Sequence, residues 1–200
     1  LPKLMGIVNV SPDSFSGGTS HMSDILSHIE QHCLAGADIV DIGAESTRPG
    51  ALPISEEEEI RRLMPLLDTI TDLSFPIKFS VDTRRARIAR LALERGFSIV
   101  NDVSAFSDPN MAYTVREYNA TIILMHHRGI PTPHIAPQYG DIMAEIFSFL
   151  EKAKTAALSA GIAADQIWLD PGIGFAKTTA DNLYITQNLA ELVKLGCPIV

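Results

Sequence analysis

The sequence has few cysteines, no long apolar run and no excess of positive charge. Cys33 and Cys197 are its only cysteines, and their separation does not resemble a metal-binding motif. A reduced, cytoplasmic protein is therefore expected. No apolar run approaches the roughly 18 residues that a membrane-spanning helix needs. The formal net charge of -8 disfavours nucleic acids and anionic membranes as partners, because both require a basic surface.

The composition is that of an ordinary globular domain, with 46% apolar and 20% charged residues in a chain of 200. This length is ample for one hydrophobic core and short for two. Residues 1–200 are therefore expected to form a single domain.

Apolar runs and helical patterns alternate strictly along the chain, which predicts a parallel sheet with helical crossovers. No Gly-x-Gly-x-x-Gly follows the first run, so the pattern favours a (β/α)8 TIM barrel over an open doubly wound sheet. Strands are expected at 4–8, 39–42, 77–81, 98–100, 121–125 and 167–169, with a seventh starting at Pro198. Helices are expected at 23–35, from an N-cap at Ser55, and at 84–95, 109–118, 141–160 and 181–195.

Polar side chains gather where the predicted strands end, and this rim is the usual ligand-binding face of such folds. Several carboxylates and amides ending successive strands would suit a planar, nitrogen-rich heterocycle, because a carboxylate can accept two hydrogen bonds from an aminopyrimidinone edge. Since positions alternate between the two faces of a strand, not every one is expected to point into the mouth. The rim residues are Asn9, Asp41, Glu45, Asp82, Asn101, Asp102, His126 and Asp170.

Other residues near the rim have two open interpretations each. Asn9, Thr47 and Arg48 could bind an anion or a metal phosphate, or could stabilise loops. Phe175 could stack on a ring or belong to the core. The adjacent pair His126 and His127 is not expected to share a metal, because neighbouring residues of a strand point in opposite directions.

Six segments, taken together and in order, resemble the dihydropteroate synthase family. The first two are 5–16, with Ser11 where threonine is commoner, and 38–51, with Ala44 where glycine is usual. The others are Ser80-Val-Asp-Thr83, Val100-Asn-Asp-Val103, Leu124-Met-His-His-Arg-Gly129 and Asp170-Pro-Gly-Ile-Gly-Phe-Ala-Lys177. The resemblance implies a TIM barrel transferase that joins 4-aminobenzoate to 6-hydroxymethyl-7,8-dihydropterin diphosphate, giving 7,8-dihydropteroate and diphosphate.

The resemblance also implies roles for individual residues. Asp82, Asn101 and Asp170 would hold the pterin, in a slot lined by Met125 and Val103. Asn9 would ligate Mg2+ beside the diphosphate. The remaining substrate-binding positions implied are Phe15, Thr47, Arg48, Pro49, Gly174 and Phe175, most of them at the aminobenzoate site. Asp82, Thr47 and Arg48 would be the catalytic residues.

The family also uses a Ser-Arg-Lys motif after strand seven and an Arg-x-His motif after strand eight, and neither lies within residues 1–200. We therefore expect the chain to lack its last one or two βα units and to have severely reduced activity or none if it ended at Val200. A homodimer is expected for the full-length protein, and a fusion to another folate-pathway enzyme is possible. Two alternatives remain open: a pterin-binding methyltransferase domain, and a non-catalytic pterin-binding fragment.

Overall fold

The computed structural model describes residues 2–10, 19–45, 53–73, 75–129 and 138–200. Its sheet contains six strands, all parallel and paired in chain order. The strands are β1 (Met5–Asn9), β2 (Ile39–Gly43), β3 (Lys78–Asp82), β4 (Ile99–Asp102), β5 (Thr121–Met125) and β6 (Ile167–Asp170). Each agrees with its predicted run to within one residue at the start and two at the end.

Helices cover the outer face of the sheet. They are α1 (Thr19–Leu34), α2 (Glu56–Asp72), α3 (Ala86–Leu93), α4 (Met111–Glu117), α5 (Ile142–Ser159), α6 (Thr179–Gln187) and α7 (Leu189–Leu192). Short 3-10 turns at Ala164–Gln166 and Val193–Leu195 complete the described elements.

Local sequence signals set most of the helix ends. Ser55 caps α2, since its hydroxyl accepts a hydrogen bond from the Glu58 N–H at 3.2 Å. The Glu58 side chain does not return to the cap as a capping box would require; it binds Arg61 and Arg62 instead. Gly36 follows α1 with a φ of 82°, as expected of a glycine that stops a helix.

The single helix predicted over 181–195 is wrong. The structure divides this stretch at Asn188, whose φ of -112° and ψ of 14° are not helical. The Asn188 amide also donates to the Tyr184 carbonyl at 2.7 Å. An asparagine side chain that binds a backbone carbonyl competes with the hydrogen bonds of the helix, which explains why the helix is interrupted at Asn188.

The inner face of the sheet carries an apolar layer with polar residues above it. Ile39, Ile99 and Ile123 pack together at the bottom, with Met5 and Trp168 against them. Because side chains on one face recur every second residue, the next inward positions on these strands are two residues further on. Those positions are Ile7, Asp41, Asn101, Met125 and Asp170. The alternation of side chains along the strands therefore places a layer of polar and apolar residues at the rim formed by the carboxyl ends of the strands.

A seventh strand begins where the sequence predicts it. Ile199 forms a parallel bridge with Leu169, and the Val200 N–H donates to the Leu169 carbonyl at 2.9 Å. Within the described ranges, no helix is long and apolar enough to cross a membrane.

Candidate active site

A cavity of about 640 Å³ opens at the carboxyl ends of the strands. Most of the residues predicted for the site that fall within the described ranges line it. Its walls are formed by Met5, Ile7, Asn9, Val10, Asp41, Gly43, Ala44, Glu45, Arg62, Asp82, Asn101, Val103, Met125, Asp170, Phe175 and Val200. The convergence predicted for Asp82, Asn101 and Asp170 is therefore present.

Strand pairing places these polar groups side by side. Asp82 is the register partner of Asn101 on one side and of Gly43 on the other, and Asp170 is the partner of Met125. A Cβ at Gly43 would lie 3.1 Å from the Asp82 Oδ2 atom. Because glycine has no side chain, Gly43 leaves the space that the Asp82 carboxylate occupies.

Several polar atoms of the site have unused hydrogen-bonding capacity. The Asn101 Nδ2 donates to Asp41 Oδ2 at 2.9 Å, while Asp41 Oδ1 and Asn101 Oδ1 are buried without a partner among the described residues. Asp170 Oδ1 accepts from the Gly172 N–H at 2.6 Å. Buried polar groups are normally satisfied, so unpaired acceptors in a cavity point to a ligand that supplies donors.

The carboxyl groups of the site have raised pKa values. Burial raises the pKa of Asp82 well above its usual range, and the charge of Asp41 adds to the effect. Burial likewise raises the pKa of Asp41, and it raises that of Asp170 to about 6. Strongly perturbed carboxyls in a cleft are typical of functional sites.

Asp102 follows Asn101 directly but does not line the cavity, since neighbouring strand residues face opposite ways. It is fully buried and accepts hydrogen bonds from the Ser104 N–H and hydroxyl and from the Phe106 N–H, at 2.6–2.9 Å. Its oxygens are used by its own turn, so Asp102 has a structural role.

Glu45 reaches the cavity wall but is held by other residues. Its carboxylate accepts two hydrogen bonds from Arg84, at 2.8 and 3.0 Å, and one from the Ile54 N–H at 3.1 Å. These contacts explain why the pKa of Glu45 is lowered although its burial acts to raise it. Glu45 thus ties the end of β2 to the segment that enters α2.

Glu59 is buried within the same network, although it was not among the predicted site residues. Its carboxylate accepts from the Thr83 hydroxyl at 2.7 Å and pairs with Arg85. Glutamates in the first turn of a helix are ordinarily exposed to solvent. The signal was nevertheless present, because Glu59 shares the helical spacing of the buried residues Leu63 and Leu66.

Lys177 is a second buried charged residue that was not among the predicted site residues. It is 8% exposed, and its ammonium group donates to the carbonyls of Gly172, at 2.8 Å, and Phe175, at 3.1 Å. A lysine this buried is unusual unless its charge is compensated. It lies behind the loop that follows Asp170.

The two adjacent histidines, His126 and His127, have different surroundings. His126 is 1% exposed and packs edge-on against Phe149, while the His127 ring contacts the Ser104 carbonyl at 3.1 Å. Burial lowers the pKa of His126 to about 4. Among the residues with described positions, no group of three or more histidine, cysteine or acidic side chains could hold a metal ion.

The remaining predicted residues divide into three groups. Asn9, Val103, Met125 and Phe175 line the cavity. Gly174 does not; it is exposed, and its N–H donates to Asn182 at 2.9 Å. Phe15, Thr47, Arg48 and Pro49 lie outside the described residues, so their roles stay predictions.

Comparison with known proteins identifies the family. A model of the family described as pterin binding enzyme matches residues 5–200. The dihydropteroate synthase of Bacillus subtilis is 43% identical, over 98% of this chain and 68% of its own length.

Solved structures give the same result. The Xanthomonas albilineans dihydropteroate synthase with 4-aminobenzoic acid superposes with a TM-score of 0.89 at 39% identity, over 99% of this chain and 71% of that one. The Anaplasma phagocytophilum enzyme with bound 6-hydroxymethylpterin-monophosphate also gives 0.89, at 35% identity over 98% and 76%. These matches confirm the predicted TIM barrel. The chain belongs to the dihydropteroate synthase family of pterin-binding enzymes.

Proposed function

We propose that the chain joins 6-hydroxymethyl-7,8-dihydropterin diphosphate to 4-aminobenzoate, releasing 7,8-dihydropteroate and diphosphate. The observation that carries the proposal is the convergence of Asp82, Asn101 and Asp170 on one cavity, with acceptor atoms left unpaired there. Relatives bind 4-aminobenzoic acid and a hydroxymethylpterin monophosphate, which supports the same two substrates here.

Recognition of the pterin follows from its pattern of donors. Its aminopyrimidinone edge presents two adjacent N–H groups, which one carboxylate accepts together. Asp170 suits this role because its Oδ1 is oriented by the Gly172 N–H and the carboxylate faces the cavity. Met125 and Val103 supply apolar walls for the flat ring, and both are nearly fully buried.

Asp82 is placed to stabilise the reacting ring. When the bond between the methylene carbon and the diphosphate oxygen breaks, positive charge spreads into the pterin. Burial and the neighbouring carboxyls make the ionised form of Asp82 costly in the ligand-free site, and an adjacent cation offsets that cost. Asp82 therefore favours the charged ring over the neutral one.

The second substrate then completes the reaction. The arylamine nitrogen attacks the methylene carbon, a carbon–nitrogen bond forms, and the amine loses a proton. Phe175 borders the cavity and offers an aromatic face to aminobenzoate. Phe15, Pro49, Thr47 and Arg48 are proposed to complete this site, and Arg48 would pair with the aminobenzoate carboxylate.

Magnesium is compatible with the residues present. Mg2+ is held in such sites by few protein oxygens together with water and substrate phosphates, so one amide oxygen is enough. Asn9 ends β1, is exposed and lines the cavity, and it would hold the ion beside the diphosphate. Bound Mg2+ would neutralise charge on the departing diphosphate.

The chain spans 68–76% of the length of the relatives described above, so the proposal covers this part of the site. A cytoplasmic location, a homodimer and a fusion to another folate enzyme stay proposals made from the sequence and the resemblance.

Titration calorimetry with pterin diphosphate, alone and then with aminobenzoate, tests the function. We expect binding of the first, and turnover when the second is added. Asp170→Asn should weaken pterin binding by about 3 kcal/mol, on the order of a hundredfold, because the amide places a donor against a donor. Asp108→Asn is the matched control, since Asp108 caps α3 through the Ala86 N–H outside the cavity.

The outcomes separate the alternatives. An affinity of Asp170→Asn within twofold of wild type would contradict the pterin assignment. Binding of pterin without turnover would favour a non-catalytic binding fragment. Transfer of a folate methyl group to a corrinoid would identify a methyltransferase domain.

A further inference from the structure

Lys177 forms no part of the cavity wall, yet it contacts the loop that carries Asp170 into the site. Its Nζ donates hydrogen bonds to the Gly172 and Phe175 carbonyls. The loop from Asp170 to Lys177 has left-handed φ values at Gly172 (70°), Gly174 (85°) and Ala176 (52°). This backbone shape turns the two carbonyls toward one point, which the ammonium group occupies.

Gly172 connects the lysine to the carboxylate. Its carbonyl accepts from Lys177, and its N–H donates to Asp170 Oδ1. The Phe175 N–H also donates to the Gly172 carbonyl, at 3.1 Å. Movement of Lys177 would therefore release both Asp170, at one end of the loop, and Phe175, at the other.

We propose that Lys177 is a positioning residue for pterin binding, which fixes the Asp170 carboxylate and the Phe175 ring through the Gly172 and Phe175 carbonyls. The inference rests on the proposed function, because it assigns Asp170 to the pterin. Lys177 touches neither substrate; it sets the geometry of residues that do.

The charge of Lys177 gives the inference a second, electrostatic consequence. Burial raises the pKa of Asp170, while the Gly172 N–H and the Lys177 charge act to lower it. Loss of the lysine charge should therefore raise the Asp170 pKa further. The other charged groups that influence this pair are Asp41, His126, Arg128, Glu145 and Asp181.

The pH dependence of pterin binding should reflect the ionisation of Asp170. An ionised Asp170 accepts both pterin N–H groups, so binding is strong above the pKa of Asp170 and weakens as the pH falls through it. Replacing Lys177 by a neutral residue should move this weakening to higher pH. A lysine that only stabilised the fold would lower the melting temperature without moving the pH at which binding weakens.

The test compares Lys177→Met, Lys177→Gln and Lys177→Arg with wild type, using 6-hydroxymethylpterin monophosphate as the probe in calorimetry between about pH 5 and pH 8. Lys154→Met is the matched control. Lys154 is also a part-buried lysine that donates to a backbone carbonyl, that of Leu195 at 2.5 Å, but it lies outside the cavity wall. Because each variant's affinity is divided by that of wild type at the same pH, any titration of the ligand itself cancels.

We expect Lys177→Met to bind at least about tenfold more weakly than wild type at neutral pH. The pH at which binding weakens should rise in Lys177→Met and Lys177→Gln and stay near that of wild type in Lys177→Arg, which keeps the charge. Lys154→Met should bind as wild type does. If Lys177→Met does not fold, the comparison of the Gln and Arg variants decides the question.

Equal pH profiles and affinities within twofold for wild type and the Lys177 variants would overturn the inference while leaving the proposed function intact. Failure of wild type and Lys154→Met to bind the probe would instead refute the proposed function, and the inference with it.

Discussion

Two glycines of one loop, Gly172 and Gly174, should respond very differently to the same substitution. Both have left-handed backbones, with φ values of 70° and 85°. A Cβ at Gly172 would lie 2.1 Å from the His126 carbonyl oxygen and 3.1 Å from the Lys177 Nζ, whereas a Cβ at Gly174 would meet nothing within 4 Å. Alanine at each position therefore separates backbone strain from steric contact.

The shared cost is that of a left-handed alanine, about 1–2 kcal/mol. At Gly172 the clash is with backbone, which a rotamer change cannot relieve, so the loop must move away from β5. That movement breaks the bonds of Gly172 to Lys177 and Asp170, and hydrogen bonds to charged groups are worth about 1.5–3 kcal/mol each. We expect Gly172→Ala to lose about 4–8 kcal/mol, a large part of the 5–15 kcal/mol typical of a domain.

Urea unfolding followed by circular dichroism measures both variants against wild type. Gly174→Ala should lose only about 1–2 kcal/mol and keep its pterin affinity. For a domain of this size each kcal/mol corresponds to about 2–4 °C in melting temperature, so the two variants should be clearly resolved by heat as well. Stabilities of the two variants within about 1 kcal/mol of each other would refute the packing described for the loop.

Two further predictions concern Asp170 and Arg48. The pKa of Asp170 is raised to about 6, above its unfolded value of 3.8, so its ionisation costs stability above pH 6 and costs nothing below about pH 4. Asp170→Asn should therefore stabilise the ligand-free protein by about 3 kcal/mol in urea unfolding at pH 7 and not at pH 4, and an equal effect at both would argue against a buried carboxylate. Arg48→Ala should raise the KM for aminobenzoate in steady-state assays much more than that for pterin, and equal increases would contradict its assignment to the aminobenzoate site.

The sequence predicts the strands and the polar rim because both depend on local patterns. A buried parallel strand is almost wholly apolar, and the first polar residue marks its end. The same property hides which polar residue points inward. In β4 the residues before Asn101 are both apolar, so the pattern does not reveal that Asn101 faces the cavity and Asp102 the outer side. Asn101 is the register partner of Asp82 in β3, and this pairing puts both side chains on the cavity side of the sheet. The pairing of strands depends on the folded structure and cannot be read from β4 alone.

The partners that compensate the charges of Glu59 and Lys177 were not predictable from the sequence, for a different reason. A charged side chain is assigned to solvent by default, because burial of an unpaired charge is costly. In this protein each charge is compensated by groups distant in sequence or by loop carbonyls: Thr83 and Arg85 for Glu59, and Gly172 and Phe175 for Lys177. Such partners appear only when the chain is folded.

The acidic residues of the rim differ in how their oxygens are used, and this difference marks the binding site more sharply than their position does. Asp102 and Glu45 have their oxygens occupied by the turn and the arginine beside them, so each stabilises the fold. Asp82 lines the cavity with a pKa raised by burial and by its acidic neighbours, and Asp41 keeps one buried oxygen without a partner among the described residues.

The charge of Asp41 raises the pKa of both Asp82 and Asp170, so ionised carboxyl groups close together in this cavity destabilise the ligand-free protein. A flat ring that donates several hydrogen bonds, and that becomes positively charged during reaction, relieves both the unpaired acceptors and the repulsion. The ligand-free site thus stores an electrostatic cost that only such a ligand removes, and it is removed most completely when the ring carries its full positive charge.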